Sequence, residues 1–350
     1  MCKTLITVVA SIALAVPVVA QAEVEIYGQA RMSLDFNSNN DPDIANEDSA
    51  MAISSNVSRL GFRGNEDLGS GLKLLWQLEQ QVDFDTGVFG SGARNSFVGF
   101  TGDWGTVAAG KNETPLRAVT QRLDVFADTK ADYNAIIGNL GGTRVFDQRS
   151  NNTLVYTSPS LQGFGFAAAY AASSRDDDLP VTKVDGGKDL ASVSGSYSNG
   201  PLYLAAAFES QGNVTGTDDA TAARLGASWT LAQATTLAGV WESADKGGVN
   251  GDRDAWYLSV AHKMGASTLK AAVAAAGELG GAADTGALQY ALGLAHELSK
   301  STEVYALYTA VENDAAAIYG LWSGAQAIAG FADKSVSSLS VGLNHRFSSR

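Results

Sequence analysis

The sequence predicts an all-β protein: a transmembrane antiparallel β-barrel of about sixteen strands. Three observations support this fold class. Apolar and polar residues alternate with a period of two in segment after segment, which is the pattern of strands with two different faces. Short turns and long polar loops alternate between these segments. No window after residue 22 is apolar over ~18 residues, which excludes a polytopic helical protein.

The first element is an export signal over residues 1–22. Lys3 precedes an apolar run, and Ala20-Gln21-Ala22 offers the small residues that a signal peptidase accepts. Pro17 interrupts the run, which is also shorter than the ~20 residues that a transmembrane helix needs, so an uncleaved helix is the weaker alternative. We therefore expect cleavage and a mature barrel domain over residues 23–350.

Composition limits what the mature domain can do. Cleavage removes Cys2, the only cysteine, so no thiol remains for a disulfide, a metal or a nucleophile. The leader contains one Lys and no acidic residue, so the formal net charge goes from −13 to −14. Such an acidic chain argues against nucleic-acid binding, which needs Lys/Arg clusters. No Pro-rich or Ser-rich linker divides the sequence, which favours one large domain.

Both ends of the mature chain are predicted strands. From Glu23 to Phe36, apolar residues at even positions alternate with polar residues at odd ones, and Leu339 to Phe347 repeats the pattern. Strands at both termini can pair and close a sheet. The predicted strands begin near residues 23, 51, 70, 93, 105, 149, 163, 188, 201, 221, 234, 253, 267, 286, 301 and 336.

The connections are of two alternating kinds. Short ones include Glu66 to Gly71, Ser198 to Pro201 and Gly265 to Ala266. The long ones cover residues 37–50, 85–92, 112–148, 174–187, 211–220, 244–252, 278–285 and 313–335. Outer-membrane barrels have short periplasmic turns and long external loops. Hydrocarbon offers no water to a free sheet edge, so the sheet must close with its apolar face outward.

Several motifs resemble the general diffusion porins of Gram-negative outer membranes. The strongest is the run Ser58-Arg59-Leu60-Gly61-Phe62-Arg63-Gly64, followed by Glu66-Asp67-Leu68-Gly69-Ser70-Gly71-Leu72-Lys73. Phe97-Val98-Gly99-Phe100 and Trp104-Gly105-Thr106-Val107 follow in the same order as in that family. The resemblance implies a water-filled channel that passes small hydrophilic solutes and ions, and a homotrimer.

The resemblance also implies that the third long loop, residues 112–148, folds into the barrel and narrows the pore. The residues support this independently, because the loop is the longest connection and has apolar stretches at Val125-Phe126 and Ala135-Ile136-Ile137. An external loop has no need of them.

The predicted constriction opposes charges of two signs. By strand parity, Arg31, Arg59, Arg94 and Arg149 face the lumen. The carboxylates assigned to the constriction are Glu113, Asp124, Asp128 and Asp132. Charges at the narrowest point set the selectivity of a pore. The alternative is that the arginines only pair with loop carboxylates and brace the fold. Phe347 is the predicted terminal signal for assembly in the membrane.

No catalytic, metal or cofactor site is predicted. The three histidines, His262, His296 and His345, lie on the outward parity near strand ends, where an interfacial role is favoured over general base catalysis. Gly138 to Gly142 lacks the Lys and the helix of a nucleotide site. The acidic patches Asp41 to Asp48 and Asp176 to Asp178 are interpreted as external loops that divalent cations bridge to lipopolysaccharide. A substrate-specific channel and a non-conducting adhesin or structural barrel remain the alternatives.

Overall fold

A computed structural model describes residues 23–39, 49–172, 189–212, 218–249, 251–321 and 328–349. Its strands are β1 (Glu23–Asn39), β2 (Ser49–Ser55), β3 (Arg59–Gly69), β4 (Leu72–Asp83), β5 (Val88–Ala93), β6 (Ser96–Gly102), β7 (Gly105–Glu113), β8 (Asn139–Leu140), β9 (Thr143–Arg144), β10 (Arg149–Thr157), β11 (Phe164–Ala171), β12 (Leu190–Asn199), β13 (Leu202–Gln211), β14 (Ala220–Leu231), β15 (Thr235–Asp245), β16 (Asp252–Met264), β17 (Ser267–Ala276), β18 (Ala287–Glu297), β19 (Thr302–Asn313) and β20 (Ser335–Ser348). One α-helix, α1 (Pro115–Thr120), and three 3₁₀ turns, Gln121–Leu123, Tyr133–Ala135 and Leu279–Gly281, complete the described elements.

These strands form a closed barrel of sixteen antiparallel strands. Two of the sixteen are interrupted: β2 and β3 both pair with β1, and β5 and β6 both pair with β4. The ring closes where β1 pairs with β20, from Tyr27 opposite Ser348 to Asn39 opposite Val336. Closure gives every strand two neighbours, which removes the free edges that a bilayer does not tolerate.

The two faces of the sheet follow the predicted parity. Along β1, Val24, Ile26 and Phe36 are exposed on the outer face, whereas Gln29 and Ser33 are buried inside. Trp104 and Trp229 lie exposed at strand ends, where the interfacial belts of membrane barrels contain aromatic side chains. Among the described residues, no helix is long and apolar enough to cross a membrane.

The strand starts follow the prediction closely, with one correction. A long loop was predicted over residues 85–92, but Val88–Ala93 is strand β5, and Val88 and Phe89 pair with Asp83 and Val82 of β4. The reason is a tight turn in which Gly87 has a φ of 75° and donates to the Asp83 carbonyl at 2.7 Å. The leader at 1–22 and the acidic patches at 41–48 and 176–178 lie outside the described residues.

Residues 114–148, called the inner loop below, lie inside the barrel. Thr114 caps α1 by accepting from the backbone N–H of Arg117 at 3.4 Å, and Pro115 opens the helix. The apolar side chains Leu116, Ile136 and Phe146 are fully buried. They pack against a strip of small lumen-facing residues on β13 to β18: Ala205, Ala207, Ala220, Ala222, Ala238, Ala244, Ala255, Ala274, Ala276 and Ala287. The small side chains leave room for the loop on this side, so the remaining opening lies on the other.

Candidate pore constriction

A chamber of about 530 Å³ lies between the inner loop and the opposite wall. Five basic and three acidic side chains line it: Arg94, Lys111, Arg117, Arg144, Arg149, Asp128, Asp132 and Asp147. Four of the eight residues predicted for the constriction, Arg94, Arg149, Asp128 and Asp132, are among them. Charged residues of both signs thus line the chamber, and positive residues outnumber negative ones.

Arg31 and Arg59 project from the barrel wall and bind the tip of the inner loop. Arg59 Nη1 lies 3.1 Å from Asp128 Oδ2, and Arg31 Nη1 donates to the carbonyls of Ala127 and Asp128 at 2.5 and 3.0 Å. Burial raises the pKa of Asp128, but the charges of Arg31 and Arg59 outweigh it and hold the pKa at about 2. Asp128 is thus ionised at neutral pH, opposite two guanidinium groups.

Arg94 and Arg149 form the basic side of the chamber. Arg94 pairs with Glu79 of β4, and Arg149 lies 2.5 Å from Glu113 and donates to Asn95 Oδ1 at 2.9 Å. Arg94 lies in the break between β5 and β6, so it faces inward although Val98 and Phe100 of the following strand are exposed outside. Arg94 therefore faces the lumen because the strand is broken between β5 and β6, and strand parity alone does not predict this break.

The structure places Asp124 behind the inner loop rather than in the chamber. Its buried carboxylate accepts from the Tyr257 hydroxyl at 2.9 Å and from the backbone N–H groups of Phe126 and Tyr133 at 2.9 and 3.0 Å. The Asp132 carboxylate accepts from the N–H groups of Asn134 and Asp128, both at 2.9 Å. Burial raises the pKa of both carboxyls. Asp124 therefore shapes the loop and does not oppose the arginines as predicted.

A buried ion cluster fastens the inner loop to the barrel wall. Arg224 of β14 lies 2.5 Å from Asp147 of the loop and donates through Nε to Glu242 of β15 at 2.7 Å. Glu242 also accepts from Arg253 of β16 at 2.6 Å and from the Gly138 N–H at 2.9 Å. All four charged side chains are fully buried. Sequence reasoning missed the cluster, although alternation along β14 puts Arg224 on the lumen side.

Further contacts hold the loop along its length. Lys130 lies 3.7 Å from Asp35 of β1, and both side chains are buried. The Tyr203 hydroxyl donates to the Val119 carbonyl at 2.8 Å, and the Tyr257 hydroxyl accepts from the Val125 N–H at 3.1 Å. Fixed in this way, the loop presents a defined charged surface to the chamber. In the described part of the chain, no group of three His, Cys, Asp or Glu side chains is arranged to hold a metal.

The comparison with known families gives this geometry a context. The family model described as Gram-negative porin matches residues 7–316. The chain belongs to the Gram-negative porin family. It is a β-barrel protein of the outer membrane, as its relatives' names indicate, and its barrel is that of the family.

Relatives of this porin are similar over different shares of their length. The major outer membrane protein P.IB of Neisseria sicca is 33% identical over 173 residues, which are 48% of this chain and 47% of that protein. The match thus spans about half the length of that relative. The outer membrane porin protein 32 of Delftia acidovorans is 29% identical over 308 residues, covering 83% of this chain and 85% of that one.

Solved structures match more of the chain. The anion-selective porin from Comamonas acidovorans superposes with a TM-score of 0.78 at 26% identity, covering 93% of this chain and 100% of that one. OmpT of Vibrio cholerae superposes with a TM-score of 0.68 at 18% identity, which supports the fold alone.

Proposed function

We propose that this porin is a passive diffusion channel for small hydrophilic solutes and ions, and that its constriction favours anions. The observation that carries the proposal is the lining of the chamber, where five basic residues face three acidic ones. Arg94 and Arg149 are paired with Glu79 and Glu113, and Asp147 is paired with the buried Arg224; with these partners counted, six basic side chains stand against five acidic ones, so the excess remains positive. A ring with excess positive charge attracts anions in a confined pore.

Arg31 adds to the excess. Its described hydrogen bonds go to backbone carbonyls, and its charge acts together with that of Arg59 on the single Asp128 carboxylate. Arg59 is in part compensated by Asp128, so it both braces the loop and contributes to the field. The Comamonas porin, which is 26% identical to this chain, is anion-selective and therefore supports the same sign.

The remaining parts of the proposal concern export and assembly. Residues 1–22 are a cleaved leader, residues 112–148 form the constriction loop, and the mature chain assembles as a homotrimer that passes solutes without chemical change. Acidic external loops bind lipopolysaccharide through divalent cations. Phe347 serves as the terminal assembly signal: it is exposed on the outer face and its ring covers Gly28 of β1.

A substrate-specific channel has less support. Such a channel needs an aromatic track along the lumen, and the inward tyrosines include Tyr203 and Tyr257. Both of these use their hydroxyls on the inner loop backbone, so they anchor the loop rather than line a path for a solute.

The test is the zero-current potential of the reconstituted channel in a salt gradient. We expect anion preference in the wild type and a shift towards cations in Arg59→Ala and Arg149→Ala, larger in the double variant. Asp128→Ala should shift the potential towards anions. The differences should shrink in molar salt, where the screening length falls from ~8 Å at physiological salt to ~3 Å.

Two controls separate the constriction from the rest of the channel. Lys263→Ala removes an exposed positive charge and should leave the potential unchanged. Asp124→Asn changes a carboxyl behind the loop and should have a smaller effect than Asp128→Ala. A cation-preferring wild type, or equal potentials in all assembled variants, would contradict the proposed selectivity, and an assembled barrel without conductance would contradict the channel itself.

A further inference from the structure

All three histidines of the sequence lie in one row on the outer face of the barrel, at its periplasmic end. They lie close to the C-terminal ends of the alternate strands β16, β18 and β20. Each Nδ1 contacts the hydroxyl of the residue that begins the preceding strand of the barrel. The pairs are Thr235–His262 at 2.8 Å, Ser267–His296 at 2.9 Å and Thr302–His345 at 2.9 Å. We call His262, His296 and His345 the histidine row.

The histidine row keeps one depth along the barrel. Leu269 pairs with His262 on one side and with Leu294 on the other, and His296 lies two residues beyond Leu294 towards the periplasm. Strands of such barrels are tilted by ~35–45°, so groups at equal depth are displaced along successive strands. Neighbouring imidazoles are two strands, or about 10 Å, apart. A single metal ion cannot bridge that distance, so each ring meets its own ligand.

The histidine row lies at the periplasmic border of the apolar band on the outer face of the barrel. Leu269, Leu294 and Leu343 are exposed on the membrane side of the histidines. His345 also stacks on Phe347 at a centroid distance of 6.4 Å. This is the depth at which lipid headgroups replace acyl chains, where amphipathic rings of membrane proteins accumulate.

The charged groups around the row lie on other faces. On every strand that packs against the histidines, the paired residue is uncharged: Thr235, Leu269, Ser267, Val304, Thr302 and Ala30. By parity Lys263, Glu297, Glu303 and Arg346 point to the lumen side, where Lys263 pairs with Glu297 at 3.3 Å. Lys300 lies in the turn after β18. The outward imidazoles are thus directed to the lipid, with no carboxylate beside them among the described residues.

We propose that the histidine row binds the phosphate groups of anionic phospholipids in the periplasmic leaflet. A Ser or Thr hydroxyl that donates to Nδ1 leaves the proton of the neutral ring on Nε2, which then donates to a phosphate oxygen. In an anionic headgroup no ammonium group neutralises the phosphate, so the contact is a charge-assisted hydrogen bond.

The test uses the full mature protein in bilayers of phosphatidylcholine with and without phosphatidylglycerol. Native mass spectrometry counts the phosphatidylglycerol molecules retained after mild extraction. We expect several-fold enrichment of phosphatidylglycerol in the wild type, because the phosphate of this lipid is not neutralised by an ammonium group in the same headgroup. The triple variant His262→Gln, His296→Gln, His345→Gln should lose this enrichment. Tyr156→Phe, which removes a polar group at the same end of β10, is the matched control.

A second measurement needs no variant. Solid-state ¹⁵N resonances of the three imidazoles should differ between bilayers with phosphatidylglycerol and bilayers of phosphatidylcholine alone, because Nε2 donates to the phosphate of the anionic lipid. Equal resonances in both bilayers, or unchanged enrichment in an assembled triple variant, would overturn the proposal. Neither readout depends on conduction, so its failure is distinct from failure of the proposed channel function.

Discussion

Arg224 is the residue on which the position of the inner loop most depends. It is the only described contact of the Asp147 carboxylate from the barrel wall and it also binds Glu242, and all three side chains are fully buried. Removing one member of a buried ion group strands the others, which costs about 3–5 kcal/mol, whereas an exposed pair contributes ~0–1 kcal/mol. Arg224 does not line the chamber, but it fixes the position of the inner loop on which the proposed selectivity of the pore depends.

We predict that Arg224→Met releases the C-terminal half of the inner loop. Asp147 then loses its ionic contact with the barrel wall and Glu242 keeps Arg253 as its ionic partner, so single-channel current should become noisier and the mean conductance should change, with a lower thermal midpoint of unfolding. Lys263→Met, which breaks the exposed pair with Glu297, is the control and should show neither change. A quiet channel of wild-type conductance in Arg224→Met would mean that the apolar packing on the alanine strip suffices.

Asp128 gives the loop tip a defined dependence on pH. The pKa of this carboxyl falls from 3.8 to about 2 in the folded protein, where the charges of Arg31 and Arg59 outweigh burial. A lowered pKa means that the ionised contact stabilises the closed tip above pH 3.8, by about 2 kcal/mol, and that this is lost as pH falls towards 2.

Wild-type channels should therefore keep a constant open-state noise down to about pH 4 and become noisier below it. Asp128→Asn should show the noisier state at neutral pH and no further change attributable to this site on acidification. Recordings of both proteins over the same pH series check the expectation. Identical pH profiles would show that Asp128 does not hold the tip.

At the scale of elements, the sequence predicts the strands well and the loop only in outline. Period-two alternation identifies each crossing because the barrel has one apolar and one polar face. The breaks at Asn56–Ser58 and Arg94–Asn95 escape it, since alternation has no signal for a residue outside the ladder. Contacts such as Asp124 with Tyr257 join positions far apart in the chain, and pattern alone cannot pair them.

Gly110 tests the packing between elements. It has a φ of 142°, and a Cβ there would overlap the carbonyl oxygen of Ser96 on β6. Gly110→Ala should lower the free energy of unfolding by at least ~2 kcal/mol, through backbone strain and the lost β6–β7 pairing. Gly195→Ala on β12, where a Cβ meets nothing within 4 Å, should stay within about 0.5 kcal/mol of wild type. Unfolding of both variants in detergent micelles measures the two free energies of unfolding, and equal values would contradict the steric argument.

At the scale of the molecule, closure and the inside-out distribution of polarity have one cause. Lipid contacts the outer face, so the apolar residues of every strand point outward, and the charged ones collect inside around the loop and the chamber. The constriction therefore depends on three features together: the number of strands, the strip of small lumen-facing residues and the length of the inner loop. Residues 23–350 contain no cysteine, so hydrogen bonding around the closed ring and the buried ion cluster stabilise the barrel without disulfides.

The absence of cysteine from residues 23–350 allows the topology of the whole molecule to be tested with single introduced thiols. Asp314 begins a long loop after β19, and Asn199 lies at the short turn between β12 and β13; both are exposed. If the long loops face outside, Asp314→Cys should react with a membrane-impermeant maleimide on intact cells and Asn199→Cys should react only after the outer membrane is permeabilised. The unsubstituted protein, labelled in parallel, sets the background. Labelling of Asn199→Cys on intact cells, with Asp314→Cys protected, would invert the barrel and would also place the histidine row against the outer leaflet.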